Sequence, residues 1–447
     1  MIRPVIVNAE LMFDLFVRRD GLRFLERAAE TAAGHSLQLP LGLNALHVAT
    51  SPEMTEAILV RAAGVFPKAP GRFGYIDKLT VHDGLLRRLL QFPFDDQFWV
   101  RERALVNRVF RHSLMEGYGA EISRRVEKYV ETRREQGVVI NALQDMSRLS
   151  FASLSNNLLH FEGDDDAEAI FEAFNLLSRF ITRRALSPFS LPAALPTKAV
   201  QSVRASCACI ARFLDSAAAE TAKAPPPLLA DAEGRPRALD DNWRYQIASL
   251  LIAGYETTAV ALVWTLRLIA DHPEVQQSLA EEVVRVCGDA LPTVADLGAL
   301  DGVGRVANEG LRLFPPLWVL GLRLATQDLE LHGARIRRGD LMLVSPWINH
   351  HNGAVFHNPK QFDPDRWQAR QTGLDRYAFI PFGVGAHACI GRLYAQMAMH
   401  ITLATLLQAF RIERNQDAGS QRASAKITLR PPESLLVLRP RRRDEGV

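Results

Sequence analysis

Cys389 closes the run Phe382-Gly383-Val384-Gly385-Ala386-His387-Ala388-Cys389, and the residues after it, RLYAQMAMHITLATLLQAF, carry apolar side chains at helical spacing. A thiol at a helix N-terminus meets unpaired N–H groups and the positive end of the helix dipole. Both lower its pKa, and the thiolate is the form that ligates metal or attacks carbon. Gly383, Gly385 and Gly391 remove side chains where backbone must turn tightly or approach something flat and large. A second group lies midway along an apolar stretch, Ala253-Gly254-Tyr255-Glu256-Thr257-Thr258. There a carboxylate and a hydroxyl together can relay protons into an apolar site, and Thr257 stands one turn on from Ala253, on the same helix face. A third is Glu309 with Arg312, an i, i+3 pair on a helix that LFPP then ends. Each has an ordinary reading when taken alone: a buried small thiol, hydroxyls bonded back to the preceding turn, and an exposed ion pair.

The elements that must hold these groups are mostly helical. Apolar residues recur at three and four spacing over 100 to 116, 119 to 135 and 166 to 185. Asp240 is an N-cap, and Pro273 stops the helix that it starts at about His272. Its roughly 32 residues make a rod of about 48 Å. Its middle, 247 to 270, is apolar enough to raise a membrane span, but Glu256 at the centre would cost about 2.5 to 3.5 kcal/mol there. A helix buried through a soluble core is the better reading. Short alternating runs at 321 to 331 and 341 to 346 read as strands, and a second short sheet is expected near 425 to 438. A helix from about Ile390 to Phe410 follows the cysteine turn. The expected fold class is mainly α with small β-sheets, helix-rich over about 40 to 320.

Composition removes several functions. The 53 Lys plus Arg against 50 Asp plus Glu give 53 − 50 = +3, and the Arg-rich stretch at 439 to 443 is short. No basic field for nucleic acid results. Four cysteines in 447 residues make no disulfide scaffold, which fits a reducing cytoplasm. Glu10 and Asp14 interrupt the apolar N-terminal stretch, which therefore reads as neither a signal peptide nor a membrane anchor.

The cysteine turn resembles the haem-binding signature F-G-x-G-x-H-x-C-x-G of the cytochrome P-450 superfamily, here Phe382, Gly383, Gly385, His387, Cys389 and Gly391. Glu309-Gly-Leu-Arg312 resembles that family's E-x-x-R motif, with Arg366 of FDPDRW as its third member, and residues 253 to 258 resemble its oxygen-activation motif. The resemblance runs from about 40 to 435 and is strongest after 240. It implies one haem-binding domain over 1–447, with a long central helix over the haem, a cysteine loop beneath it and no fused reductase. It implies haem b (iron protoporphyrin IX) with Cys389 as axial ligand, whose electron donation favours O–O cleavage. Phe382, Gly383 and Ala253 would line the haem. Trp99 and Arg103, spaced i, i+4, would bind its propionates together with Arg323 and His387, with Arg101 and Arg392 as alternatives that the sequence leaves open.

Thr257 and Glu256 would deliver protons, with the acid and the alcohol breaking the helix locally, and small residues at 253 and 254 would leave room over the iron. The implied activity is insertion of one atom of O2 into a C–H bond of a hydrophobic small molecule, a terpenoid or other natural-product intermediate. Electrons would come from a ferredoxin or flavodoxin with its NAD(P)H-dependent reductase. The alternatives are a fatty-acid hydroxylase, a peroxide-driven oxidant, and a haem-binding sensor without turnover. The substrate-covering loops carry no motif; Phe73, Tyr75, Phe180, Phe189 and 317 to 320 are candidate lining.

Overall fold

The computed structural model describes residues 5–6, 20–32, 37–41, 44–69, 103–104, 106–136, 139–161, 167–186, 195, 197–231, 234–368, 374–415, 423–432 and 435–441. Its helices of twelve residues or more are α1 (Gly21–Ala32), α2 (His112–Gln136), α3 (Ala142–Leu159), α4 (Ala167–Leu186), α5 (Lys198–Glu220), α6 (Asp241–Asp271), α7 (Pro273–Cys287), α8 (Asp301–Leu313) and α9 (Arg392–Ala409). The strands are β1 (Val5–Ile6), β2 (Leu37–Leu41), β3 (Asn44–Val48), β4 (Val139–Asn141), β5 (Arg323–Leu324), β6 (Leu329–Leu331), β7 (Ala334–Ile336), β8 (Leu341–Leu343), β9 (Phe410–Arg414), β10 (Ser424–Ala425), β11 (Leu429–Arg430) and β12 (Leu435–Pro440). The fold is mainly helical with small sheets, as the periodicity implies.

The chain gathers into two compact units: Met1–Ala69 with Gly304–Cys389 and Gln421–Pro432, and Pro70–Val303 with Ile390–Ser420 and Glu433–Val447. The first unit is built on a mixed sheet in the order β1-β2-β3-β8-β5. In it β3 and β8 run parallel, with Leu46 opposite Leu341, and β8 and β5 antiparallel, with Met342 opposite Arg323. Phe24, Leu25 and Ala28 of α1 bury against Leu37, Leu39 and Val48 of this sheet. β2 and β3 were not legible in the sequence, because a five-residue strand gives little periodicity and β3 draws a partner from nearly 300 residues away. The β6–β7 hairpin and the β10–β11 pair complete this unit.

In the second unit β4, β12 and β9 form an antiparallel sheet, and α6 is the central buried element. The Asp240 side chain accepts from the Trp243 N–H at 2.8 Å, satisfying an orphan donor of the first turn. Pro273 begins α7, where its missing N–H costs nothing. Tyr255 packs edge-on against Phe151 of α3 and Phe171 of α4, with ring centroids 5.6 and 5.9 Å away. This helix is long and apolar enough to cross a membrane, but two thirds of its apolar stretch is buried inside the protein. α2 runs unbroken from 112 to 136, joining the end of the periodic run at 100 to 116 to the run at 119 to 135.

Candidate functional site

In the first unit, the carboxylate of Glu309 organises the ground beneath the cysteine turn. Arg312, one turn on, donates from Nε to Oε2 at 2.9 Å and from Nη2 to Oε1 at 2.8 Å. Arg366 Nε and the Asp363 N–H both donate to Oε1 at 3.0 Å, and Trp367 Nε1 donates to Oε2 at 2.9 Å. Neither Glu309 nor Arg312 is exposed to solvent. The expected trio is therefore assembled and buried, and the ordinary reading as a surface pair fails. Arg312 also donates to the backbone carbonyls of His350, Pro359 and Gln361.

His350 carries this network towards the turn, and the sequence offered no signal for it. Its Nε2 accepts the Ile380 N–H at 2.9 Å, two residues before Phe382, so the neutral ring carries its proton on Nδ1. Burial, with the nearby His351 and Arg312, holds its pKa well below the usual histidine range and keeps it an acceptor.

The turn itself is tied by Gly383 N–H to the Ile380 carbonyl at 3.0 Å, Ala388 N–H to Gly385 at 3.1 Å, and Cys389 N–H to Phe382 at 2.7 Å. Gly383 and Gly385 adopt φ of 65° and 73°, the left-handed region that a side chain disfavours. At Gly385 a Cβ would also stand 2.3 Å from the Leu59 carbonyl oxygen. Cys389 is an exposed cysteine outside any disulfide, three residues ahead of the first helical residue, Arg392, so it precedes α9 and does not sit in its first turn. Phe382 and His387 are half-buried in this loop. Arg323 is buried on edge strand β5 of the same unit.

Among the described residues, no three His, Cys, Asp or Glu side chains gather to hold a metal ion. A metal ligated by Cys389 must bring its remaining ligands with it, as the iron of a porphyrin does. The exposed thiol, on a turn where Gly383 and Gly385 carry no side chain, fits that group.

In the second unit, α6 presents Ala253, exposed, and Thr257, half-buried, on one face. The helix is continuous through 253–258, with no local break. Both hydroxyls bond within the helix instead, Thr257 Oγ1 to the Ala253 carbonyl at 2.6 Å and Thr258 Oγ1 to that of Gly254 at 2.7 Å. Gly254 does not open space on the Ala253 face. A Cβ there would meet Leu154 of α3 at 2.5 Å, so this glycine allows close helix packing. Glu256 is buried, and its Oε2 accepts from Ser178 Oγ of α4 at 2.6 Å. Ser178 was likewise missed, since nothing in the spacing of α4 pairs it with residue 256. Arg103 is half-buried in a helical fragment. Trp99, Phe73, Tyr75 and Phe189 lie outside the described residues.

A family model described as Cytochrome P-450 matches residues 11–438. The chain is 28% identical to pentalenene oxygenase of Streptomyces avermitilis, over 98% of this chain and 94% of that one. It is 27% identical to cyclooctat-9-en-7-ol 5-monooxygenase of Streptomyces melanosporofaciens, over 88% of this chain and 85% of that one. Among solved structures, the haem domain of a mutant cytochrome P-450DA superposes with a TM-score of 0.82 at 24% identity, covering all of both chains.

Proposed function

Because the chain belongs to the cytochrome P-450 family, haem-thiolate monooxygenases that bind haem b through a cysteine, we propose that Cys389 is the axial ligand and that a terpenoid is the substrate. The observation that carries the ligand assignment is the exposed cysteine whose backbone N–H donates to the Phe382 carbonyl in a turn with two left-handed glycines. Bound haem supplies the reductive use of O2: a substrate C–H, O2, two electrons and two protons yield an alcohol and water. The protein's own groups hold the haem and deliver the protons. Phe382, Gly383 and Ala253 would be among the residues that hold the haem, as small or flat groups at its site. His387, Arg323, Arg103 and Trp99 are cationic or hydrogen-bonding groups of the kind that bind propionates. Thr257 hands on protons at its hydroxyl, with Glu256 as the acid behind it.

The terpenoid reading is supported by the names of two relatives, each similar along most of this chain. The family requires a redox partner, and a ferredoxin or flavodoxin with its NAD(P)H-dependent reductase, acting in the cytoplasm, is the proposed one. Two measurements test the reading. Cys389→Ala or Cys389→His abolishes the thiolate-type absorption band of the reduced carbon monoxide complex; a variant that keeps the band removes Cys389 as ligand. Turnover with a surrogate ferredoxin and reductase on cyclic terpenes yields oxygenated product. Product from fatty acids alone transfers the substrate class to them, and turnover supported only by hydrogen peroxide removes the redox-partner assignment.

A further inference from the structure

Glu256 does not stand on the face of α6 that carries Ala253 and Thr257. At about 100° per residue, Thr257 lies about 40° to one side of Ala253 and Glu256 about 60° to the other. The carboxylate is thus at the seam between the open face and the face covered by α4. Gly254 and Tyr255 take the rest of the circumference, packed on Leu154 and on the Phe151 and Phe171 rings. On the α4 side, Ile170, Phe171, Ala173, Phe174 and Leu177 are buried. Ser178 is the polar side chain buried among them, and its hydroxyl points at Glu256 Oε2 from 2.6 Å. A buried hydroxyl aimed at a carboxylate in the proton-handling motif has a chemical consequence. It sets which side of the seam the carboxylate occupies.

We propose that Ser178 is a positioning residue for the reaction, holding the Glu256 carboxylate against α4 and away from the Ala253–Thr257 face until the two helices part at this point. The inference rests on the reading of Glu256 as a proton carrier and adds the group that controls it. With the hydroxyl present, the buried carboxylate has a donor where it is. Without it, the carboxylate loses one of the interactions that hold it against α4, and the arrangement turned to the open face gains by that hydrogen bond. Ser178→Ala therefore makes proton delivery independent of substrate, so reducing equivalents are lost as peroxide or water.

The test uses the haem-loaded enzyme with a surrogate ferredoxin and its reductase, without substrate. Ser178→Ala raises NADPH oxidation roughly fivefold or more, the population change expected when one intramolecular hydrogen bond is removed. Ser178→Thr, which keeps the hydroxyl, stays near wild type, and adding Glu256→Gln to Ser178→Ala cancels the rise. Independently of turnover, the infrared band assigned to Glu256 by difference against Glu256→Gln shifts in the resting Ser178→Ala protein and not in Ser178→Thr. An unshifted band, or a rise that survives Glu256→Gln, overturns the positioning role. If Glu256→Gln by itself leaves oxidation and coupling unchanged, the proton-carrier reading falls instead.

Discussion

Glu309→Gln removes one charge and preserves the shape of a side chain that five donors surround. Oε1 accepts from Arg312 Nη2, Arg366 Nε and the Asp363 N–H, while Oε2 accepts from Arg312 Nε and Trp367 Nε1. A glutamine amide must point its NH2 at one of these sets, so at least two donors lose their acceptor whichever way it turns. The two guanidiniums, buried at Arg312 and at Arg366, also lose the carboxylate that compensates them. Breaking a buried ion pair from one side costs about 3–5 kcal/mol, and this site lies at or above the upper end because one anion serves two cations. Equilibrium unfolding in guanidinium chloride measures the loss directly, and the haem content of the purified protein follows it. Because Arg312 also binds the His350 carbonyl, and the His350 ring accepts the Ile380 N–H, the variant should also loosen the cysteine turn and lower the thiolate-type band of the reduced carbon monoxide complex. A loss of less than about 1 kcal/mol with a full band would refute the reasoning, since the network would then carry neither stability nor the turn.

Other perturbations separate the remaining contributions. Gly385→Ala should disrupt the thiolate-type band far more than Gly383→Ala. Both residues have positive φ, but an added Cβ meets the Leu59 carbonyl oxygen at 2.3 Å at 385 and nothing closer than 3.9 Å at 383. Equal effects in the carbon monoxide spectrum would dismiss the close approach as the cause. Acid should destabilise the protein through two half-buried histidines. His351 and His400 are both pushed down to about 4 by burial, so each is neutral in the fold and takes up its proton on unfolding. Their contribution is complete above about pH 6.5, falls by about 1.4 kcal/mol per pH unit per group as pH drops, and levels off near 4. Unfolding free energies measured at pH 7 and pH 5 should differ by about 4 kcal/mol from these two groups, and equal values would rule them out. Thr257→Ala should keep haem and substrate affinity while raising peroxide formed per NADPH by about tenfold or more; unchanged coupling would leave Thr257 as a helix residue bonded to Ala253.

Local chemistry was legible wherever a residue acts on its own neighbourhood. Asp240 caps α6 because an N-cap needs only the N–H groups two or three residues on, and Pro273 starts the next helix for an equally local reason. The glycines at 383 and 385 announce a turn because left-handed φ is a property of the residue itself. Glu309 and Arg312 are one turn apart, so their meeting was implied by helical geometry. The same sequence left Gly254 ambiguous, since a missing side chain makes room equally for a ligand or for Leu154, and only the packing of α3 on α6 decides.

What tertiary structure alone decided concerns direction and distant partners. Helical spacing puts Glu256 beside Thr257 in the chain, but the side that its carboxylate takes depends on a hydroxyl 78 residues away on α4. His350 acts through an N–H 30 residues downstream, and its ring is neutral because the first unit buries it. β3 exists because β2 and β8 flank it. The residue types for thiolate ligation and proton transfer are written in the sequence, since each follows from covalent chemistry and the helix repeat. Which way each side chain faces, and what holds it there, is a balance of burial against hydrogen bonding that exists only once remote segments are packed together.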